Sequence, residues 1–347
     1  MTVDTPATAI PPRLAGLPSW GPRPTNRDVE LVPSTEWSGD VVTYDFPGVE
    51  VGVATYENGP TGCTVLHVPG GARLAIDARG GAIGMSNGFE YFAHAICLTG
   101  GSVYGLSAGS GVADELRARG GNRGGVDDLQ LVSTAVIYDY SARETAIHPD
   151  AALGRAAIRA AAHGRIPVGR VGAGATASAG KIDYARTELT GQGAAFGRAG
   201  DVRVLVVTVP NPVGVIVDRD GEVVRGNYDA ERGERRRLEG DYIAAIERAQ
   251  QPRAERGNTT ITAVITNVRL SDRELIHFGR QVHSSMNRAI QPFHTALDGD
   301  TLFALTTDEI DLNPAIPAED DDAPVNSIAI GALASELAWD AVLEAAR

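Results

Sequence analysis

The sequence predicts an α+β fold in which β-sheets are covered by helices. Three observations point to this. Val202–Val209 is apolar at nearly every position, the pattern of a strand buried on both faces, whereas 271–289 repeats apolar residues at helical spacing. The two kinds of segment do not alternate as regular βαβ units. With 347 residues and 43% hydrophobic content, the chain can bury a large core.

Residues 1–35 are aperiodic and carry Pro6, Pro11, Pro12, Pro18, Pro22, Pro24 and Pro33, so 1–40 reads as an extended arm. Strand signals follow at 41–46, 49–56 and 63–68, then a glycine-rich, hairpin-like stretch over 70–84. Gly100-Gly101-Ser102-Val103-Tyr104-Gly105 opens a helical stretch ending near Arg119, and Gly120–Gly125 is a loop. A strand at 132–138 ends in Tyr138-Asp139-Tyr140, and 151–162 is an alanine-rich helix. Val202–Val209 runs into Pro210-Asn211-Pro212, where flanking prolines force an extended turn, and a further strand covers 213–217. A helix over 235–250 leads to a polar linker, 251–258, where a surface cut is tolerated. Ser271-Asp272-Arg273-Glu274 is a capping box for a helix carrying His277 and His283, both read as structural. Glu319–Asp322 is a solvated loop, and a last helix spans 327–344.

The net charge of −13 argues against a nucleic-acid binder, and Arg235-Arg236-Arg237 reads as a solvated helix start. No stretch approaches the ~18 apolar residues of a membrane span, and the N-terminus lacks a basic region followed by an apolar one. A cytoplasmic protein without membrane partners is expected. Cys63 and Cys97 lie in apolar strand-like segments and read as buried hydrophobes, not a disulfide framework. No nucleotide-binding glycine motif occurs in strand–turn–helix context, and there is no G-x-S-x-G elbow, so no cofactor is expected.

The chemistry concentrates in Gly257-Asn258-Thr259-Thr260, which runs straight into the apolar Ile261–Ile265. A threonine hydroxyl at a strand entry can attack the preceding carbonyl, here that of Asn258. Hydrolysis of the ester then leaves Thr259 as a new N-terminus whose amine, with a reference pKa of about 7.7–8.0, serves as base for its own hydroxyl. The commoner use of Asn-Thr here is a plain turn. Asp298-Gly299-Asp300, before a second apolar strand, offers two carboxylates to orient that threonine, against a solvated Asp-Gly turn as the ordinary use. A metal site from His294, Asp298 and Asp300 ranks below both, because the spacing matches no defined metal motif. Among 31 Lys+Arg there is a single lysine, Lys181, in the small-residue stretch Gly172–Gly180, and it reads as a site lysine. Asn211, held between prolines, is a candidate oxyanion donor or a turn residue bonding its own backbone.

Asn258-Thr259-Thr260-Ile261, His294-Thr295 with Asp298–Ala304, and Val209-Pro210-Asn211-Pro212-Val213-Gly214 resemble the DmpA-type family of self-processing aminopeptidases and amidases, in its nylon-hydrolase (6-aminohexanoate-oligomer endohydrolase) branch. Asp77–Ala82, Gly191–Phe196 and Val282–Met286 extend the resemblance, which runs from about Asp45 to the C-terminus. It implies a four-layer αββα sandwich cut into a larger chain ending at 258 and a smaller chain, 259–347, in one compact domain. It further implies that Thr259 is the nucleophile, Asp298 and Asp300 its positioning groups, Lys181 the site lysine and Asn211 the oxyanion-side asparagine. Tyr138 is implied as an active-site tyrosine, with Tyr140 two residues away. Gly100, Gly101 and Tyr104 are expected to touch substrate. The expected activity is internal hydrolysis of linear ω-amino-acid oligoamides, with no metal or cofactor, by a tetramer of processed heterodimers. The alternatives are an aminopeptidase or an acyltransferase of the same fold acting on short peptides or N-acyl amino acids.

Overall fold

β1 (Glu50–Tyr56), β2 (Thr61–Ala78) and β3 (Phe92–Thr99) pair antiparallel in the order β1–β2–β3 in the computed structural model, which describes residues 21–87, 91–247, 257–312 and 325–347. α1 (Ser107–Arg119), β4 (Val132–Val136) and α2 (Ala151–Arg159) follow, with β4 parallel to β3. β5 (Gly193–Ala199), β6 (Val202–Asn211), β7 (Thr259–Val268), α3 (Asp272–Ser285), β8 (Thr301–Ile310) and α4 (Val325–Glu344) complete the framework. The second half of the sheet runs β5–β6–β7–β8–β2, antiparallel except for β7–β8, which is parallel with α3 as its crossover.

β2 belongs to both halves. Residues 61–67 pair with β1 and β3, the register shifts between His67 and Ala72, and residues 73–78 pair with β8. The irregularity falls at Pro69-Gly70-Gly71, where a ladder tolerates a bulge. The hairpin expected over 70–84 is therefore corrected: the first nine of those positions continue one long strand that bends from one layer into the next.

Folding the sheet over β2 brings two faces together. Leu66, Ile96 and Leu98 from one half meet Leu205, Val207, Ile261, Ile265 and Phe303 from the other in one buried cluster. On the outer face of the second half, Val204, Val206, Val264 and Leu302 pack on Leu275, Phe278 and Val282 of α3 and Ala334, Ala338 and Ala341 of α4. On the opposite outer face, Cys63, Val65 and Cys97 pack on Val112 and Leu116 of α1 and Leu153, Ala157 and Ile158 of α2. The layers are thus helices, sheet, sheet, helices. Alternate residues of Val202–Val209 serve the inner and outer cores, which is why the run is apolar at nearly every position. Each such buried side chain contributes roughly 1.5–3 kcal/mol.

The capping box opening α3 is present: the Ser271 hydroxyl accepts from Glu274 N–H, and the Glu274 carboxylate accepts from Ser271 N–H at 2.8 Å. α2 is capped by Asp150, which accepts from Ala152 and Leu153 N–H and also from the Tyr56 hydroxyl at 2.8 Å. Cys63 and Cys97 are buried and free. The helix expected to begin at 235 begins at Glu239, because Glu234–Arg235 pairs instead with Tyr228–Asp229. The strand of Asn211 runs through the prolines: β6 includes both Pro210 and Asn211. Of the arm, Ser34 bridges to Thr55, and Arg23 donates to the Tyr140 and Arg143 carbonyls at 2.8 and 2.9 Å. Arm residues 1–20, linker residues 251–256 and the loop at 319–322 lie outside the described residues. Among the described residues no helix is long and apolar enough to cross a membrane.

Candidate active site

The β6–β7 register sets Asn211 directly opposite Thr259. A parallel bridge joins Asn258 to Asp298, and β7–β8 pairing then sets Ile261 beside Thr301. Three segments distant in sequence, 209–213, 257–261 and 294–301, are thereby brought to one end of the sheet. Thr259 is 3% exposed, Lys181 1%, and Asn211, Asp298 and Asp300 are fully buried.

The Thr259 hydroxyl donates to the Asn258 carbonyl oxygen at 2.5 Å. That same oxygen accepts Gly299 N–H at 2.7 Å. A Cβ at position 299 would fall 2.2 Å from the Ala82 carbonyl and 3.0 Å from Thr259 Oγ1, so only glycine lets the loop approach this closely. The Asp77–Ala82 segment supports the loop from below, Arg79 N–H donating to Asp300 O and Ala82 N–H to Asp298 O.

Both carboxylates bind backbone amides. Asp298 accepts from Val213 N–H at 3.2 Å and Thr295 N–H at 3.0 Å, and from the Thr295 hydroxyl at 2.5 Å. Asp300 accepts from Thr260 N–H at 2.7 Å and His294 N–H at 3.0 Å, with His294 Nδ1 at 2.9 Å. Asp300 therefore fixes the backbone just after the threonine, Asp298 ties its loop to Val213 beside the strand opposite, and the Thr259 hydroxyl itself bonds the Asn258 carbonyl. Burial is the main cause that pushes the Asp300 carboxyl up to about 6; the nearby Asp298 charge adds to it, and the His294 and Thr260 hydrogen bonds oppose it.

Lys181 Nζ donates to the Asn211 backbone carbonyl at 2.9 Å and side-chain Oδ1 at 2.7 Å. Asn211 Nδ2 donates to the Tyr138 carbonyl at 3.0 Å. Lys181, Asn211 and Tyr138 thus form one group, opposite Thr259. Asn211 is not the donor found on the Asn258 carbonyl. That donor is the Gly299 amide, which residue type could not reveal because every residue but proline carries one.

Tyr138 also faces a cavity of about 680 Å³ lined by Pro22, Arg23, Tyr104, Tyr140, Ala146 and His148 among others. A Cβ at Gly257 would fall 2.5 Å from Tyr138 Cγ, so the tyrosine wall of the cavity backs onto the residue preceding Asn258. Tyr104 and Tyr138 both line this space. Gly100 and Gly101 are not among its lining residues. A Cβ at Gly100 would meet Asp139 and Thr61 at 2.5 Å, and Gly101 N–H donates to Asp139 Oδ1 at 3.0 Å, so both glycines lie over the Asp139 carboxylate. That carboxylate pairs with fully buried Arg143 at 2.8 Å, and the guanidinium lies 4.2 Å from the centre of the Tyr140 ring. Asp139 and Arg143 were missed in the sequence; the only signal was two charges four residues apart in an otherwise apolar and aromatic stretch.

His294 and Asp300 are bonded to each other, while Asp298 is turned toward Val213 and Thr295. Among the described residues no three His, Cys, Asp or Glu side chains are grouped to hold a metal. His277 and His283 sit on α3 as expected, with His283 fully buried and bonded to Asp77 at 2.9 Å.

The sequence model of peptidase family S58 matches residues 42–346. The chain belongs to this family. A 6-aminohexanoate-oligomer endohydrolase of Paenarthrobacter ureafaciens is 59% identical over 336 residues, covering 97% of this chain and 94% of that protein. Among solved structures, a Burkholderia sp. beta-aminopeptidase superposes with a TM-score of 0.60 at 18% identity, covering 88% of each chain. The L-aminopeptidase D-Ala-esterase/amidase of Ochrobactrum anthropi, described as a variant of the Ntn hydrolase fold, gives 0.60 at 15% identity over 90% of this chain and 88% of that one. These S58 and Ntn-hydrolase relations agree with the four-layer α+β architecture.

Proposed function

We propose that this S58 member is an amide hydrolase that cuts its own Asn258–Thr259 bond and then uses Thr259 to hydrolyse linear ω-amino-acid oligoamides internally. The observation that supports it most is the pairing at the scissile bond: the Thr259 hydroxyl at 2.5 Å and the Gly299 amide at 2.7 Å share the Asn258 carbonyl oxygen. A donor at this distance stabilises negative charge as it develops on that oxygen. Thr259 Oγ attacks the Asn258 carbonyl carbon, the C–N bond breaks, and the hydroxyl proton passes to the departing nitrogen. Water then hydrolyses the ester, giving the Asn258 carboxylate and a free Thr259 amine and hydroxyl. In turnover the amine takes the hydroxyl proton as Oγ attacks the substrate carbonyl and delivers it to the leaving amine; water resolves the acyl-threonine ester. Lys181 and Asn211 hold the strand opposite the nucleophile, Asp300 holds its own through Thr260, and Asp298 ties its loop to Val213.

The neighbouring cavity supports the substrate class. Aromatic walls from Tyr104, Tyr138 and Tyr140 suit polymethylene segments, which a peptide-specific site with regularly spaced polar groups would not favour. The name of the 59%-identical relative points the same way. The working unit in this reading is a set of processed pairs, 1–258 with 259–347, assembled as a tetramer.

Intact mass under denaturing conditions tests the reading. Wild-type protein is expected as two species divided at Asn258–Thr259. Thr259→Ala is expected as one uncut species, with oligoamide hydrolysis lowered by at least ~10⁴-fold. A cut or active Thr259→Ala chain overturns the assignment.

A further inference from the structure

His294 stands where the proposed chemistry does not use it. Its ring Nδ1 lies 2.9 Å from Asp300 Oδ2, and its own backbone N–H donates to the same oxygen at 3.0 Å. The other Asp300 oxygen takes Thr260 N–H at 2.7 Å, so one carboxylate links His294 to the residue following the nucleophile. His294 adopts a left-handed backbone, φ 58°, a region uncommon for non-glycine residues though entered more readily by Asn, Asp and His than by others. The ring is clamped. Phe293 stacks on it with centroids 3.9 Å apart, and the His283 ring meets it edge-on at 4.4 Å. His283 is in turn held by Asp77, which pairs with Arg79 at 2.8 Å. Nε2 of both histidines is buried without a hydrogen-bond partner, a cost that a merely space-filling side chain would not incur.

We propose that His294 is a positioning residue for Asp300, donating Nδ1–H so that the carboxylate stays an acceptor for Thr260 N–H and fixes the Thr259–Thr260 peptide for attack. This rests on Thr259 being the nucleophile. The charged and titratable groups around the pair are Asp298 on the same loop, His283 from α3, Asp77 from β2 and Arg79 just beyond it. Burial holds His283 neutral down to about 4, so near neutral pH it brings no competing positive charge to Asp300. The His294 hydrogen bond and charge both favour the ionised carboxylate, so their removal moves Asp300 titration upward.

The test compares the pH dependence of self-cleavage in wild type, His294→Asn, His294→Phe and His294→Gly. Asparagine keeps a donor near the Nδ1 position and tolerates the left-handed backbone. Phenylalanine keeps the ring packing without a donor, and glycine removes both ring and backbone strain. We expect the acid limb to move up by about one pH unit in the phenylalanine and glycine variants and by clearly less in the asparagine variant, which restores the donor but not the charge. Slower cleavage with an unmoved acid limb in both, or an asparagine variant that behaves like glycine, overturns the proposal. Carboxyl-carbon NMR titration of Asp300 in the uncut Thr259→Ala chain, with and without His294→Asn and His294→Gly, reads the same coupling without any cleavage. If wild type is never cut, the nucleophile reading fails by itself, and the titration still decides whether His294 governs Asp300.

Discussion

At the scale of single residues, the site is a set of hydrogen bonds that leave few side-chain choices. Asp300 is buried and pushed up to about 6, so it is neutral at acid pH and a carboxylate above that value. Only the carboxylate is a full acceptor for Thr260 N–H. Self-cleavage is therefore expected to slow as pH falls through about 6, and Asp300→Asn to abolish that acid limb while lowering the plateau by ~10²-fold; a timed series of gel bands across pH measures both. Much of this site was legible beforehand. Thr259, Asp298, Asp300, Lys181 and Asn211 carry their chemistry in side chains, and short motifs expose them. Gly299 was not legible as a donor because its contribution is a backbone amide. His294 entered only through a metal grouping ranked below the other readings, and spacing alone gave no sign that it would bond the neighbouring carboxylate.

At the scale of elements, the helical periodicity of α3 and the two-faced apolar run of β6 were readable because each reports its own local surroundings. β2 was misread. Pro69-Gly70-Gly71 has the composition of a turn, and only the pairing partners on either side, β1 and β3 before it and β8 after it, keep it a strand. The crossing of α1 and α2 provides a test of packing against propensity. Gly154 lies inside α2, where alanine would ordinarily stabilise a helix by up to about 1 kcal/mol. A Cβ there would fall 1.9 Å from the Ala108 backbone carbonyl of α1, and backbone cannot step aside as a side-chain tip can. Gly154→Ala is expected to destabilise the protein by about 1–3 kcal/mol in denaturant titration, the opposite sign from the propensity scale.

For the whole molecule, the position of the cut in the topology matters as much as its chemistry. β7 lies between β6 and β8, and β8 lies between β7 and β2, so these two long strands of the 259–347 segment are interior to the sheet. Their side chains Ile261, Ile265, Phe303 and Leu305 fill the inner core together with residues of the larger segment. After cleavage the two pieces are expected to run together on native size-exclusion chromatography and to part only in denaturant. Separate native peaks for the two pieces would contradict the arrangement.

The bent strand β2 adds a consequence for the working life of the molecule. It completes one layer with residues before the cut and the other by pairing with β8, which lies after it, so the native sheet requires both pieces at once. Uncut chain finds that arrangement by a first-order search. Once cut, an unfolded molecule must find its lost half by collision, and the search becomes slower with every dilution. In the proposed two-piece form, lifetime is then governed by how rarely the molecule opens, not by how readily it reforms.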